Sequence, residues 1–362
     1  MSKIKNAFRN GFTTGTCAQA AAKGAGFMLR TQKLLKRVKV ETPSGVKLLL
    51  KLIDQKIEKE SAFCGIVKDA GDDPDITNGV KIYAKVKFSH QKGVSIKGGE
   101  GVGMVTKPGL AVDVGEYAIN PTPRKMIAKE MSRYLPEDRG LEVVISAPRG
   151  EGLAKRTFNP RLGVVGGISI IGTTGIVLPK STEAYKASLS LQLDVLKASG
   201  VKRAVLVLGY VGEKFAKEAL RLQGDSIIKI GDHVGFMLKA CAKKKIKDIL
   251  LVGHIGKLVK VACGQFNTHS KFGDNRIRTI AHYAKTYKAK RSVIEELLKQ
   301  ATSEATIDIL RKNRLMGVFG KIAQKVVITI NEFLDTELMV RCILLSLKGE
   351  ILGAYPKENG YE

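Results

Sequence analysis

The sequence predicts a mixed α/β protein in two parts: an α+β half over residues 1–160, then a mainly parallel sheet with helices on both faces over 161–362. Three observations predict this. Helix and hairpin patterns are mingled before Gly163; from Gly163 onward the chain repeats strand, turn and helix; and 362 residues exceed the ~100 to 200 of one domain.

The elements follow in order. After the turn Thr13-Thr14-Gly15-Thr16, residues 17–29 are alanine-rich and free of β-branched side chains, which predicts a helix able to pack closely. Residues 38–42 and 46–53 flank Pro43-Ser44-Gly45 as a hairpin. Strands at 62–67 and 80–88 enclose an acidic turn holding Asp69, Asp72, Asp73 and Asp75, and the glycines of 98–103 mark a loop. A helix with proline in its first turn (123–134) and a strand (141–146) complete the first part.

In the second part, strands are expected at 168–171, 204–208, 226–230 and 248–252, and helices at 182–198, 213–222, 234–244 and 255–262. Helices over 291–311 and 321–333 and a hairpin of 340–347 with 351–355 end the chain. Ligands of parallel sheets bind beyond the carboxyl ends of the strands. Each strand here ends in a glycine or polar turn: Gly172-Thr173-Thr174-Gly175, Gly209-Tyr210-Val211-Gly212, Gly231-Asp232-His233 and Gly253-His254.

Composition excludes several classes. Hydrophobic residues at 44% and charged residues at 26% are ordinary for a globular chain, which argues against disorder. No apolar signal-peptide core follows the basic start, and no run reaches the ~18 apolar residues of a bilayer span, so a cytoplasmic protein without membrane attachment is expected. Cys17, Cys64, Cys241, Cys263 and Cys342 are scattered without a C-x-x-C pair; they read as reduced, mostly buried thiols, and no metal bound by the protein is expected. The net charge of +27 has two specific readings, a nucleic-acid-binding protein or a substrate with several carboxylates, beside a plain solvated surface. Absence of Trp and only 6% aromatics leave few platforms for stacked bases, which favours the small molecule.

Several segments carry chemistry. Threonines at a helix start can cap it, and free N–H groups there attract anions; a second Thr/Gly turn at 172–175 suggests a ligand held from both domains. The four clustered aspartates can supply a general base or bind Mg²⁺, although the spacing is not that of an EF-hand and an Asp-Pro turn explains at least two of them. Gly209 and Gly212 open a helix after a strand, and Asp232 ends the next strand, where ribose hydroxyls are commonly bound; the full G-x-G-x-x-G is missing. His254 and His269 lie in loops beside glycine and hydroxyl residues, and Lys257 and Lys260 share one helical face near a helix terminus, an arrangement suited to a carboxylate.

Taken in order, 11–18, 67–75, 98–103, Ile119-Asn120-Pro121, 159–163, 168–175, 253–257 and Thr268-His269-Ser270 resemble one family, the cobalt-precorrin-5B C1-methyltransferases of anaerobic cobalamin biosynthesis (CbiD). The ordered matches span about three-quarters of the chain, from Gly11 to Ser270. The resemblance implies methyl transfer from S-adenosylmethionine to C1 of a corrinoid ring that carries its own cobalt. It also implies a two-layer α+β domain followed by a Rossmann-like three-layer domain. It brings no catalytic assignment, so the expected roles rest on residue chemistry. Thr13, Thr14, Thr16, Thr173, Thr174, Lys257, Lys260 and His269 are expected to hold substrate carboxylates. Gly209, Gly212 and Asp232 are expected to hold the methyl donor, and Asp72 or His254 to act as base. The expected partner is the small-molecule corrinoid, not nucleic acid; a homo-oligomer or transient contact with neighbouring pathway enzymes stays open.

Overall fold

The structure, a computed structural model, describes residues 8–222, 224–334 and 338–356. Its contacts divide the chain into two units, Met1–Glu183 and Ala184–Glu362.

In the first unit, β1 (Gly11–Phe12) leads into α1 (Thr14–Thr31), and the alanines and glycines of α1 allow it to be buried on nearly every side. A hairpin of β2 (Arg37–Glu41) and β3 (Lys47–Lys51) follows, as the turn residues predict. The main sheet is built from β4 (Ile53–Ile57), β5 (Ser61–Val67), β6 (Lys81–Ser89) and β7 (Val94–Gly98). After β8 (Met104–Val105) and α2 (Pro121–Met131), β9 (Gly140–Ser146) inserts to give the order β4-β5-β6-β9-β7, in which only β7 and β9 run parallel. Period-two alternation sends Cys64, Ile66, Ile82, Ala84, Val143 and Ile145 into the core that α1 and α2 share. There the small helix side chains permit close approach: the Cys64 thiol donates to the Ala21 carbonyl at 3.2 Å.

The unit closes with α3 (Gly150–Ala154), β10 (Val164–Val165) and β11 (Ile176–Val177). The apolar stretch 168–171, expected as the first strand of the parallel sheet, belongs here instead. Ile168 bridges Val102, Ile170 bridges Ile119, and both isoleucines are buried in the first unit's core. The expected break at 160/161 therefore precedes the observed division by some twenty residues.

A buried ion pair sits under the acidic turn. Lys68 Nζ lies 2.6 Å from Asp75 Oδ2, with the lysine side chain only 2% exposed. Burial acts to raise the Asp75 carboxyl, but the hydrogen bond and charge of Lys68, with Thr77, outweigh it and hold the group below its ordinary value. A depressed carboxyl contributes stability above its unfolded pKa of ~3.9 and loses it as pH falls through the folded value. Asp75→Asn is thus expected to be less stable than wild type at neutral pH, by about 3 kcal/mol, yet to lose less on acidification below about pH 4. Urea midpoints measured across that range check this; parallel acid limbs for the two proteins would contradict it.

α4 (Thr182–Ala198) leads into the second unit. There β12 (Arg203–Leu208), α5 (Gly209–Glu218), β13 (Ile227–Lys229), α6 (Val234–Lys243), β14 (Asp248–His254) and α7 (Ile255–Ala262) alternate as the sequence rhythm predicts. α8 (Arg276–Thr286), α9 (Arg291–Leu298), α10 (Ala305–Lys312) and α11 (Gly317–Leu334) precede the hairpin β15 (Met339–Leu345) and β16 (Ile351–Tyr355). The sheet order is β13-β12-β14-β15-β16, with only β16 antiparallel. Val205, Val207, Leu250 and Val252 face α5, whereas Leu206, Leu208, Ile249 and Leu251 face the larger helical layer that includes α6, α7 and α11. Apolar side chains on both faces explain why these strands read as unbroken hydrophobic runs. The expected helix over 291–311 is two helices, interrupted at a turn that contains Ser303 and Glu304. Among the described residues, no helix is long and apolar enough to cross a membrane. All five cysteines are free and only Cys263 is exposed; burial pushes the Cys64 thiol up to about 12.

Candidate functional site

From β12 the chain crosses to β13 on one side and then returns to β14 on the other, so the connections leave the carboxyl ends of β12 and β14 in opposite directions. A crevice forms at such a reversal. A pocket of ≈ 390 Å³ at this edge is lined by Asp232, His254, Gly256, Lys257, Lys260, Thr268, His269, Ser270 and Arg276. It unites five residues that the sequence singled out under three separate roles. Asp232 follows β13, His254 ends β14, Lys257 and Lys260 project from α7, and His269 caps the short turn Ser270–Phe272.

Asp232 is the organising acid of this pocket. Its Oδ1 accepts from Thr268 Oγ1 at 2.6 Å and lies 3.1 Å from Lys257 Nζ. Partial burial acts to raise its carboxyl, but Thr268 and Lys257 outweigh that and hold it low, so Asp232 is an anion at neutral pH. Its Oδ2 has no protein partner among the described residues and stays available to accept from a ligand.

His254 is fully engaged. Nδ1 accepts from the Gly256 N–H at 3.1 Å, which caps α7, and Nε2 lies 2.8 Å from Glu304 Oε2. With Nδ1 accepting, the proton belongs on Nε2 and is donated to Glu304. Glu304 also accepts from the Leu347 N–H, at 3.0 and 3.2 Å to its two oxygens. Both ring nitrogens, where the sequence suggested a base, are thus partnered within the protein, and the side chain fixes the start of α7.

The turn after β12 keeps the features of a glycine loop without the full motif. Gly209 has φ +87°, with open space where a side chain would stand, and Gly212 lets α5 approach β14 so closely that a Cβ would meet the Val252 carbonyl at 2.7 Å. Tyr210 between them is 70% exposed at the sheet edge.

The Thr/Gly turns of the first unit have a different task from the one expected. Thr14 Oγ1 donates to the Ser169 and Ile171 carbonyls and accepts from the Ile171 N–H at 2.9 Å. Thr16 Oγ1 donates to the Gly175 carbonyl at 2.8 Å, Thr13 Oγ1 accepts from the Thr16 N–H, and the Gly15 N–H donates to Ile171. The two turns bind each other within one unit rather than holding a ligand from two. Of the N–H groups that open α1, Gly15 donates to the partner loop and Thr16 to its own cap, Thr13. Thr174 Oγ1 closes onto Ile176 in its own turn, and Thr173 alone of the five threonines is exposed with no hydrogen bond among the described residues. Thr14→Val is therefore expected to lower stability by about 2 kcal/mol through its unpaired partners; an unchanged urea midpoint would contradict this.

The acidic turn is likewise spent on structure. Asp69 pairs with the Arg9 guanidinium, Asp72 Oδ2 accepts from the Arg9 N–H at 2.7 Å, and Asp73 accepts from the Lys180 N–H. Asp72 is exposed in the first unit.

Arg276 and Glu304 were missed by sequence reasoning, and Ser270 stood out only within the motif Thr268-His269-Ser270. Arg276 is held by Asp274 through two hydrogen bonds, which place it on the pocket wall, and Glu304 reaches His254 from fifty residues away. The pair Asp274-Asn275-Arg276 offered one local signal, an acid poised before a basic helix start.

Residues 1–179 match the family described as CbiD, and residues 267–356 match the one described as CbiD, C-terminal domain. A curated relative from Methanocaldococcus jannaschii, named cobalt-precorrin-5B C(1)-methyltransferase, is 45% identical over 349 residues, 95% of this chain and 96% of that protein. The chain belongs to the CbiD family. A relative of the same name from Thermoanaerobacter is 44% identical over 95% of this chain and 94% of its own length. A solved CbiD structure, the cobalamin biosynthesis protein from Archaeoglobus fulgidus, is 29% identical and covers 73% of this chain and 83% of its own, at a TM-score of 0.39. The C-terminal match begins at Asn267, so the loop bearing Thr268, His269 and Arg276 lies within the CbiD pattern.

Proposed function

We propose that this CbiD protein transfers the methyl group of S-adenosylmethionine to C1 of cobalt-precorrin-5B, giving cobalt-precorrin-6A and S-adenosylhomocysteine. The observation that carries the reading is near-full-length identity of 44–45% to methyltransferases of that name. The pocket of the second unit carries groups suited to each reactant. Asp232, with Oδ2 free, is suited to ribose hydroxyls, and Gly209 leaves open space where a side chain would stand after β12. Lys257, His269, Ser270 and Arg276 supply donors for carboxylates of the corrinoid rim, which gives part of the +27 charge a purpose. Thr173 is the exposed candidate of the first unit, available for a polar ligand contact.

In the reaction the sulfonium S–CH₃ bond breaks with its electron pair left on sulfur, while a ring carbon supplies the pair for the new C–C bond. Positive charge at sulfur is thereby discharged. What a protein contributes to such a step is alignment of donor and acceptor, exclusion of water, and a field that does not hold the sulfonium back. Asp232 anchors the donor, His254 with Glu304 holds α7 in place, and Lys257 orients the acceptor.

Calorimetric titration of the full chain with S-adenosylhomocysteine tests the reading at its first step. Saturable binding at a single site is expected; heats no larger than dilution would count against it.

A further inference from the structure

Lys260 is the charge this pocket leaves over. Its residue is 4% exposed, and Nζ donates to the carbonyls of Thr268 at 3.1 Å and Gly273 at 3.3 Å. Among the described residues no carboxylate lies within ion-pair distance of it, and its third ammonium proton has no protein acceptor. The acids nearby are committed elsewhere: Asp232 to Lys257 and Thr268, Asp274 to Arg276, and Glu304 to His254. Hydrogen bonding from Arg276 holds the Asp274 carboxyl at about 2, so that pair stays closed at any physiological pH. Lys257 and Arg276 therefore arrive with contacting counter-charges, whereas Lys260 feels Asp274 only through space and has no carboxylate in contact. A buried ammonium with only two neutral acceptors is costly unless an anion comes to it. Its side chain lines the pocket together with Ser270 and His269.

We propose that Lys260 is the seat of one ligand carboxylate, its one free N–H and its one uncompensated charge matching a single carboxylate group. The inference rests on the methyltransferase reading, which offers two sources of that group: the amino-acid end of the methyl donor and the acetate or propionate rim of the corrinoid. Lysine's two carbonyl bonds hold the ammonium in place before the ligand arrives, so little of the binding free energy goes into ordering it.

Three probes separate the sources in calorimetry on the full chain: S-adenosylhomocysteine, 5′-methylthioadenosine, which lacks the amino-acid carboxylate, and uroporphyrin, a macrocycle ringed with carboxylates. Lys260→Met is expected to weaken S-adenosylhomocysteine or uroporphyrin by about tenfold or more and to leave 5′-methylthioadenosine unchanged. Whichever probe weakens names the source. Asp274→Asn, an exposed change that releases the Arg276 charge into the same pocket, is expected to tighten that same probe several-fold, and this arm stands even if Lys260→Met does not fold. Equal affinities of wild type and both variants for all three probes would overturn the inference, as would an equal loss on 5′-methylthioadenosine, which would assign Lys260 to the shape of the loop alone. Wild type that binds none of the probes would overturn this and the reaction together, whereas methyl transfer by an enzyme indifferent to Lys260 would sink this inference alone.

Discussion

Gly101→Ala is expected to destabilise the first unit by about 3 kcal/mol or more. Gly101 has φ +72°, and a Cβ there would stand 1.8 Å from the Ala147 carbonyl oxygen and 3.1 Å from the Gly150 nitrogen. Both neighbours are backbone and neither can move independently. Ala147 N–H donates to Glu100 O at 2.8 Å and Ile168 N–H donates to Gly101 O at 2.9 Å, which pins the loop from two sides. The loop also carries Val102, whose bridge to Ile168 holds the stretch leading to the Thr/Gly turn. For a unit of this size the loss corresponds to a fall in Tm of about 10 °C. Scanning calorimetry checks it, and a Tm within about 2 °C of wild type would show that the loop relaxes.

Asp232→Ala is expected to weaken S-adenosylhomocysteine by roughly 10- to 100-fold, the range for losing hydrogen bonds to a charged group. Two effects add. The ligand loses the Oδ2 acceptor, and Lys257 loses its counter-charge while Thr268 loses its acceptor at 2.6 Å. Asp232→Asn keeps an acceptor for Thr268 and is expected to fall between alanine and wild type. Calorimetry with S-adenosylhomocysteine distinguishes these outcomes; wild-type affinity in the alanine variant would remove Asp232 from the donor site.

Much of the fold was legible because its signals are local. The alanine-rich run announced α1, and β14 and α7 were found close to their observed limits from one apolar stretch, a glycine and a change of period. Residues 168–171 failed for a physical reason: a short apolar run says that it is buried, not which sheet or core receives it. Their true partners, Val102 and Ile119, lie more than fifty residues upstream. α8 was missed because its arginines, histidine and threonines leave little apolar periodicity, with only Ile280, Ala281 and Ala284 buried.

The site was legible in its cations and illegible in its pairings. Lys257, Lys260 and His269 stood out by residue type and spacing, and the sheet topology then brought them to one edge. The engagement of His254 could not be read, since Glu304 follows it by fifty residues across three helices. The threonine turns misled because a helix cap, a turn-to-turn stitch and an anion site share the same residues. Only the direction of each hydroxyl separates them.

The reaction is tested by following the methyl carbon. Incubation of the full chain with cobalt-precorrin-5B and S-adenosylmethionine labelled with ¹³C in the methyl group is expected to place the label on C1 of the ring. S-adenosylhomocysteine is expected to form mole for mole with the methylated product. Label on another ring carbon, or S-adenosylhomocysteine formed without label entering the ring, would contradict the account.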